Sequence, residues 1–167
     1  DNISVAISYD SRIKSDIFAS TAARVLAANG IKVYIFSELM PTPCLSFAVR
    51  RLKCDAGIMV TASHNPAKYN GYKVYGADGC QITDIAAGEI LSEILNVDVF
   101  SGVSDIDFET AVKSVKIEYI SDNIVNEYIK CVSEQRLQND TDIDKQIKIC
   151  YSALNGAGAK PVIMALK

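Results

Sequence analysis

The sequence predicts an α/β fold, a three-layer α/β/α arrangement around a mixed, mostly parallel sheet. Three observations carry that prediction. Short apolar runs alternate with segments whose apolar residues recur at helical spacing. Early in the chain the order is strand, helix, strand, helix, strand, which is the pattern of parallel crossovers with helices on both faces. The third and fourth apolar runs are separated by only about ten residues with no helix between them, too few for a parallel crossover, so the fourth strand is predicted antiparallel.

The first strand is predicted over Ile3 to Tyr9. Ile17, Phe18, Thr21, Ala22, Val25 and Leu26 then set a helix, closed by Asn29-Gly30. Ile31 to Phe36 reads as the second strand. Pro41-Thr42-Pro43 breaks the pattern, and Leu45, Ala48, Val49 and Leu52 define a short amphipathic helix behind it. Ala56 to Val60 is a third, fully apolar strand, and Tyr72 to Tyr75 a short fourth, followed by a turn at Gly76, Asp78 and Gly79. Ile82, Ile85, Ala86, Ile90, Ile94 and Leu95 fit a helix that Gly88 weakens.

Residues 96–114 are acidic and read as loop. Val115 to Ile120 fits either a strand or the lead-in to a helix, and Ile124, Val125, Tyr128, Ile129 and Val132 give a clear helical stripe. Gln135 to Gln146 is polar and marks a boundary. A new strand is expected over Ile147 to Tyr151, with a tight turn at Asn155-Gly156-Ala157-Gly158 and a helix after it. Residues 1–138 are therefore expected to form one domain, and 139–167 a linker and the truncated opening of a second.

Composition excludes several classes. Hydrophobic residues make up 49% of the 167, enough to build a core, so disorder is not expected. The net charge of −3, with no dense basic run, argues against a nucleic-acid partner. No apolar stretch is long enough for a membrane helix, and the first residues lack the shape of a signal peptide. The five cysteines, Cys44, Cys54, Cys80, Cys131 and Cys150, include no C-x-x-C pair and read as reduced thiols of a cytoplasmic protein.

In parallel sheets, ligands bind beyond the carboxyl ends of the strands. The segment after the third strand, Thr61 to Gly71, is the first place to look for chemistry. There Ser63, His64 and Asn65 are adjacent, Pro66 fixes the chain, and Asn70-Gly71 makes a turn. A serine can act as a nucleophile or carry a phosphate, which brings roughly two negative charges. Lys68, Lys73 and Arg12 are the candidate cations. Arg12 follows the first strand, which ends on the same edge as the third. A Ser-His hydrolase is disfavoured, because the sequence has no G-x-S-x-G elbow and no evident third group. The single histidine and scattered cysteines do not suggest zinc. Asp98, Asp105, Asp107 and Glu109 lack an EF-hand pattern and read as a solvated loop, and Tyr119 and Tyr128 as packing residues.

TASHNPAKYNGYKVYGADG, Thr61 to Gly79, closely resembles the active-serine signature of the alpha-D-phosphohexomutase superfamily of phosphoglucomutases and phosphomannomutases. YDSR at Tyr9 to Arg12, ANGIKVYIF at Ala28 to Phe36, PTPCLSFAVR at Pro41 to Arg50 and YSALNGAG at Tyr151 to Gly158 are similar to further family segments, in the expected order. The tyrosine-rich YNGYKVYGADG form resembles the long branch that also includes phosphopentomutases.

The resemblance implies an amino-terminal domain in which Ser63 carries the transferable phosphoryl group and, through that phosphate, supplies a ligand to Mg2+. It implies Lys73 as the general acid/base and His64 as an assisting hydrogen-bonding group. Asn65 would shape the loop, and Arg12 would add positive charge near the phosphate. The implied reaction interconverts hexose 1-phosphate and hexose 6-phosphate, with glucose preferred over pentose or mannose phosphates. It runs through a sugar bisphosphate, with glucose 1,6-bisphosphate as activator. The partners would be the sugar phosphate and the missing domains of the same polypeptide. The family's metal-binding aspartate loop and its sugar- and phosphate-recognition loops belong to those domains, so this chain alone is expected to be inactive and to bind magnesium weakly or not at all. A catalytically silent interaction domain that retains the loop is the non-enzymatic alternative.

Overall fold

The computed structural model describes residues 3–137 and 146–167. Five strands form one sheet in the order β4-β3-β1-β2-β5. They are β1 (Ser4–Tyr9), β2 (Lys32–Ile35), β3 (Ala56–Val60), β4 (Tyr72–Gly76) and β5 (Ile117–Tyr119). β1 pairs in parallel with β2 and β3, and β2 with β5. β4 runs antiparallel to β3, with Val60 opposite Tyr72, as the short connection demands. The three-layer, mostly parallel prediction holds.

Side chains alternate between the two faces of the sheet. Val5 and Ile7 of β1, with Val33, Ile35, Ile58 and Val60, face α1 (Ser15–Ala28) and α4 (Phe108–Lys113). Ala6 and Met59 face the other way, toward Leu45, Ala48 and Val49 of α2 (Thr42–Leu52) and Val125 of α5 (Asp122–Ser133). Two close approaches set the layer spacing. α1 buries Ala19, Ala23 and Ala27 completely. Gly57 of β3 lies where a Cβ would come within 2.6 Å of the Val49 side chain.

Several expectations need correction. The helix over Ser15–Ala28 forms, but its inner stripe is alanine. Ile17 and Phe18 are 54% and 46% exposed, because a helix packed tightly on a sheet favours small residues at the contact. Residues 96–114 are not wholly loop. Asp107 caps α4 by accepting from the Thr110 amide at 2.9 Å, and Ala111 is buried; six residues are too few for periodicity to reveal. Within Val115 to Ile120, Ile117–Tyr119 forms the edge strand β5. The helix after the fourth strand forms as α3 (Asp84–Leu95), yet none of its residues is buried. Ile147 to Tyr151 carries no strand, since a strand needs a partner and no described strand lies beside this run.

The end of the chain lies against the sandwich. α6 (Ala159–Ala165) packs on α5. Lys160 reaches both Glu38, at 2.5 Å, and Asp122, at 2.7 Å, and these two carboxylates hold its ammonium above the ordinary lysine pKa. Tyr128 packs edge-on against Phe47 with ring centroids 5.6 Å apart, the packing role expected of it. Tyr119 is half exposed and tilts against Phe108.

Candidate active site

β1 and β3 are parallel neighbours with Tyr9 beside Val60, so the loops leaving them rise from the same edge. One carries Asp10, Ser11 and Arg12, and the other carries Thr61 to Asn70. The second loop returns at once into β4 and forms a tight hairpin. At its closure the Thr61 amide donates to the Gly71 carbonyl at 3.0 Å. Glycine is required there, because a Cβ would lie 2.4 Å from the Thr61 carbonyl oxygen. Asn70 tightens the turn by accepting from the Gly71 amide at 2.8 Å.

Ser63 sits at the crest with φ +54°, a left-handed conformation that L residues seldom adopt. Its amide donates to Thr61 Oγ1 at 2.8 Å, and its side chain is exposed. His64 Nδ1 lies 3.4 Å from Ser63 Oγ, longer than a working hydrogen bond. Among the described residues no third group orients the ring. A Ser-His hydrolytic pair therefore has no geometric support.

Arg12 is the strut of the loop. Its guanidinium donates to the carbonyls of Ser63 (2.7 Å), Pro66 (3.2 Å), Tyr69 (2.8 Å) and Asn65. It also lies 3.7 Å from the Asp10 carboxylate. The pairing of the first and third strand ends brings Arg12 to Ser63, as the topology predicts. The contact made is to loop backbone.

Two clefts of roughly 530 and 400 Å³ meet at Ser63. The first is bounded by Asp10, Arg12, Ser63, Asn65 and the turn residues Leu154 and Asn155. The second is bounded by Ser63, His64, Asn65, Asn70 and Lys73, the last projecting from β4. All five predicted site residues, Ser63, His64, Lys73, Arg12 and Asn65, therefore gather on one rim. Lys68 does not join them: its ammonium lies 5.0 Å over the Tyr69 ring, beside a separate hollow.

Sequence reading missed Asp10, Thr61 and Ser15, which brace the loop; it placed Asn70 and Asn155 in turns but missed that Asn70 joins the bracing and that the 154–155 turn walls the first cleft. Asp10 and Thr61 lie inside the motifs already noted. The turn's signal was only a generic N-G pair, although the Ser11 hydroxyl donates to the Asn155 carbonyl.

Among the described residues no group of three His, Cys, Asp or Glu side chains is placed to hold a metal ion. Asp10, beside the serine loop, is already engaged by Thr61, Ser15 and Arg12. The described residues therefore do not form a magnesium site by themselves. The expectation that the D-x-D-x-D spacing belongs only to the missing domains needs correction: Asp140, Asp142 and Asp144 have that spacing, and they lie outside the described residues.

Fold and site together define an α/β/α domain that presents one serine on a strained, arginine-braced loop at the carboxyl edge of its parallel strands. A family model described as phosphoglucomutase/phosphomannomutase, alpha/beta/alpha domain I, matches residues 1–99, and the chain belongs to that family. A phosphoglucomutase of Staphylococcus haemolyticus is 39% identical over 98% of this chain, and a phosphoribomutase of Saccharomyces cerevisiae is 33% identical over 95% of it. This chain spans only 29% and 27% of their lengths. Among solved structures, a phosphomannomutase-type protein of Thermus thermophilus superposes on 78% of the chain with a TM-score of 0.60 and 31% identity; the match covers 28% of that protein. The Paramecium phosphoglucomutase parafusin matches 55% of the chain and 18% of its own, with a TM-score of 0.50 and 26% identity. No described helix is long and apolar enough to cross a membrane.

Proposed function

We propose that this chain is the serine-bearing domain, residues 1–138, with the opening of the next, residues 139–167, of a longer sugar-phosphate mutase. In this reading Ser63 carries the phosphoryl group. The observation that carries it is Ser63 itself, an exposed hydroxyl on a left-handed residue, whose backbone is fixed by Arg12 while a cleft shared with Lys73 opens beside it.

The chemistry follows from those positions. The phosphoryl group leaves Ser63 Oγ and bonds to a free hydroxyl of the bound sugar phosphate, giving a bisphosphate. That hydroxyl loses its proton as the new O–P bond forms, and Ser63 Oγ gains one as its own O–P bond breaks; in this reading Lys73, which lines the same cleft, relays that proton. After the bisphosphate reorients, its other phosphoryl group returns to Ser63, the Ser63 hydroxyl proton passing by the same relay to the sugar oxygen that is released. Catalysis of such transfers is mainly positioning and charge stabilisation. Arg12 contributes rigidity and positive charge beneath the loop, His64 a donor at its rim, and Asn65 a polar wall to both clefts.

Mg2+ and the activator glucose 1,6-bisphosphate would be held largely by the rest of the polypeptide. The substrate class is a hexose phosphate, with glucose favoured by the staphylococcal phosphoglucomutase, 39% identical over 98% of this chain. The yeast relative makes pentose phosphate the alternative. The test is a coupled assay of the whole polypeptide with glucose 1-phosphate and ribose 1-phosphate, beside its Ser63→Ala variant. Turnover that disappears in the variant supports the proposal. Turnover that survives Ser63→Ala contradicts it.

A further inference from the structure

We propose that Thr61, backed by Asp10, is a positioning residue for Ser63. Its hydroxyl pins the Ser63 amide and so holds the serine in the left-handed geometry that presents Oγ to the two clefts. The proposal rests on the reading of Ser63 as the phosphoryl carrier.

A left-handed backbone at a non-glycine residue is costly and persists only where the surroundings over-determine it. Around Ser63 they do. A hydroxyl has one proton and two lone pairs. The Thr61 proton goes to Asp10 Oδ2, so the same oxygen is left as an acceptor, and the Ser63 amide donates to it at 2.8 Å.

Asp10 is immobilised in turn. Its Oδ1 accepts from the Arg12 amide at 2.9 Å and from the Ser15 hydroxyl at 2.8 Å. Ser15 is fully buried at the start of α1, and its oxygen accepts from Asn70 Nδ2 at 2.8 Å. The chain of bonds thus ties the ends of β1 and β3, the start of α1 and the hairpin turn to one amide. On the other side, Arg12 holds the Ser63 carbonyl. Both peptide groups of Ser63 are fixed, while its hydroxyl has, among the described residues, only the long contact to His64.

Thr61 is 6% exposed, so the bland alternative is that it merely fills space. The two roles predict opposite orders of substitution. Valine keeps the volume and loses the hydroxyl; serine keeps the hydroxyl and loses volume. In the whole polypeptide, Thr61→Val should slow phosphoryl gain on Ser63 from glucose 1,6-bisphosphate by about 100-fold, since a misplacement near 1 Å costs that much. The KM for sugar phosphate should not change, and Thr61→Ser should stay close to the wild-type rate.

Hydrogen exchange of the Ser63 amide gives a second readout, independent of activity, and should quicken in Thr61→Val but not in Thr61→Ser. A Thr61→Val protein equal to wild type in both readouts, with Thr61→Ser the slower in transfer, overturns the proposal. If the wild type gains no phosphoryl group, the reading of Ser63 as carrier falls. The exchange rates alone then decide the positioning claim: faster exchange in Thr61→Val supports it and equal exchange overturns it. Should Thr61→Val not fold, Thr61→Ala removes the same hydroxyl and is judged by the same two outcomes.

Discussion

The Arg12 guanidinium grips the Ser63 carbonyl with two donors, Nη2 at 2.7 Å and Nε at 3.3 Å. The same group reaches the carbonyls of Asn65, Pro66 and Tyr69, so one planar fork organises the whole crest of the serine loop. Arg12→Ala leaves the Ser63, Asn65 and Tyr69 carbonyls to water, while that of Pro66 keeps the Tyr69 amide. It is expected to destabilise the fold by about 2 kcal/mol, the scale of a charge-assisted hydrogen-bond set, as read by urea unfolding. Arg12→Lys should recover only part of this, because an ammonium cannot reproduce the fork. Full recovery by lysine would mean that charge alone matters.

Gly71 sits where a methyl group would press on the Thr61 carbonyl. Gly71→Ala is expected to cost about 2 kcal/mol, the usual range for forced overpacking, and to disturb Ser63 through the displaced hairpin. Gly88, in the interior of α3, has open space around it. Gly88→Ala should be neutral or stabilising by up to about 1 kcal/mol. Paired denaturation curves check both, and equal effects would contradict the steric account.

Much of this was legible in the sequence. The strand order follows from the alternation of apolar runs, and the antiparallel β4 from a connection too short to cross over. The clustering of Arg12 with Ser63 follows from two parallel strands ending on one edge. What was not legible depends on packing. Nothing local marks Ala19, Ala23 and Ala27 as the buried stripe in preference to Ile17 and Phe18. The bracing by Asp10, Thr61, Ser15 and Asn70 joins residues up to 55 positions apart, and periodicity carries no information about such bonds.

The thiols should divide into two groups. Cys44 and Cys54 are buried, and burial pushes the Cys44 thiol up to about 11 and raises that of Cys54 as well. Since the thiolate is the reactive form, both should resist a thiol reagent at neutral pH until the protein unfolds. Cys80, Cys131 and Cys150 are exposed and should react at once. Timed labelling with mass detection checks this, and early modification of Cys44 would contradict it.

The cap of α4 gives a pH dependence. Asp107 lies below the ordinary carboxylate range, chiefly because its carboxylate accepts from the Thr110 amide and then from the Thr110 hydroxyl. A lowered folded-state pKa stabilises fully above the unfolded value, near 3.9, and that stabilisation is lost as pH falls through the folded value. Melting temperature against pH should therefore drop less steeply below pH about 4 in Asp107→Asn than in wild type. Identical acid limbs would count against the cap.

The most direct test of the central claim is the intact mass of the whole polypeptide after incubation with glucose 1,6-bisphosphate and Mg2+, with the modified residue mapped by fragmentation. The account predicts a gain of one phosphoryl group, located on Ser63 and absent from Ser63→Ala. A folded protein that gains nothing, or that carries the group on another residue, would contradict it.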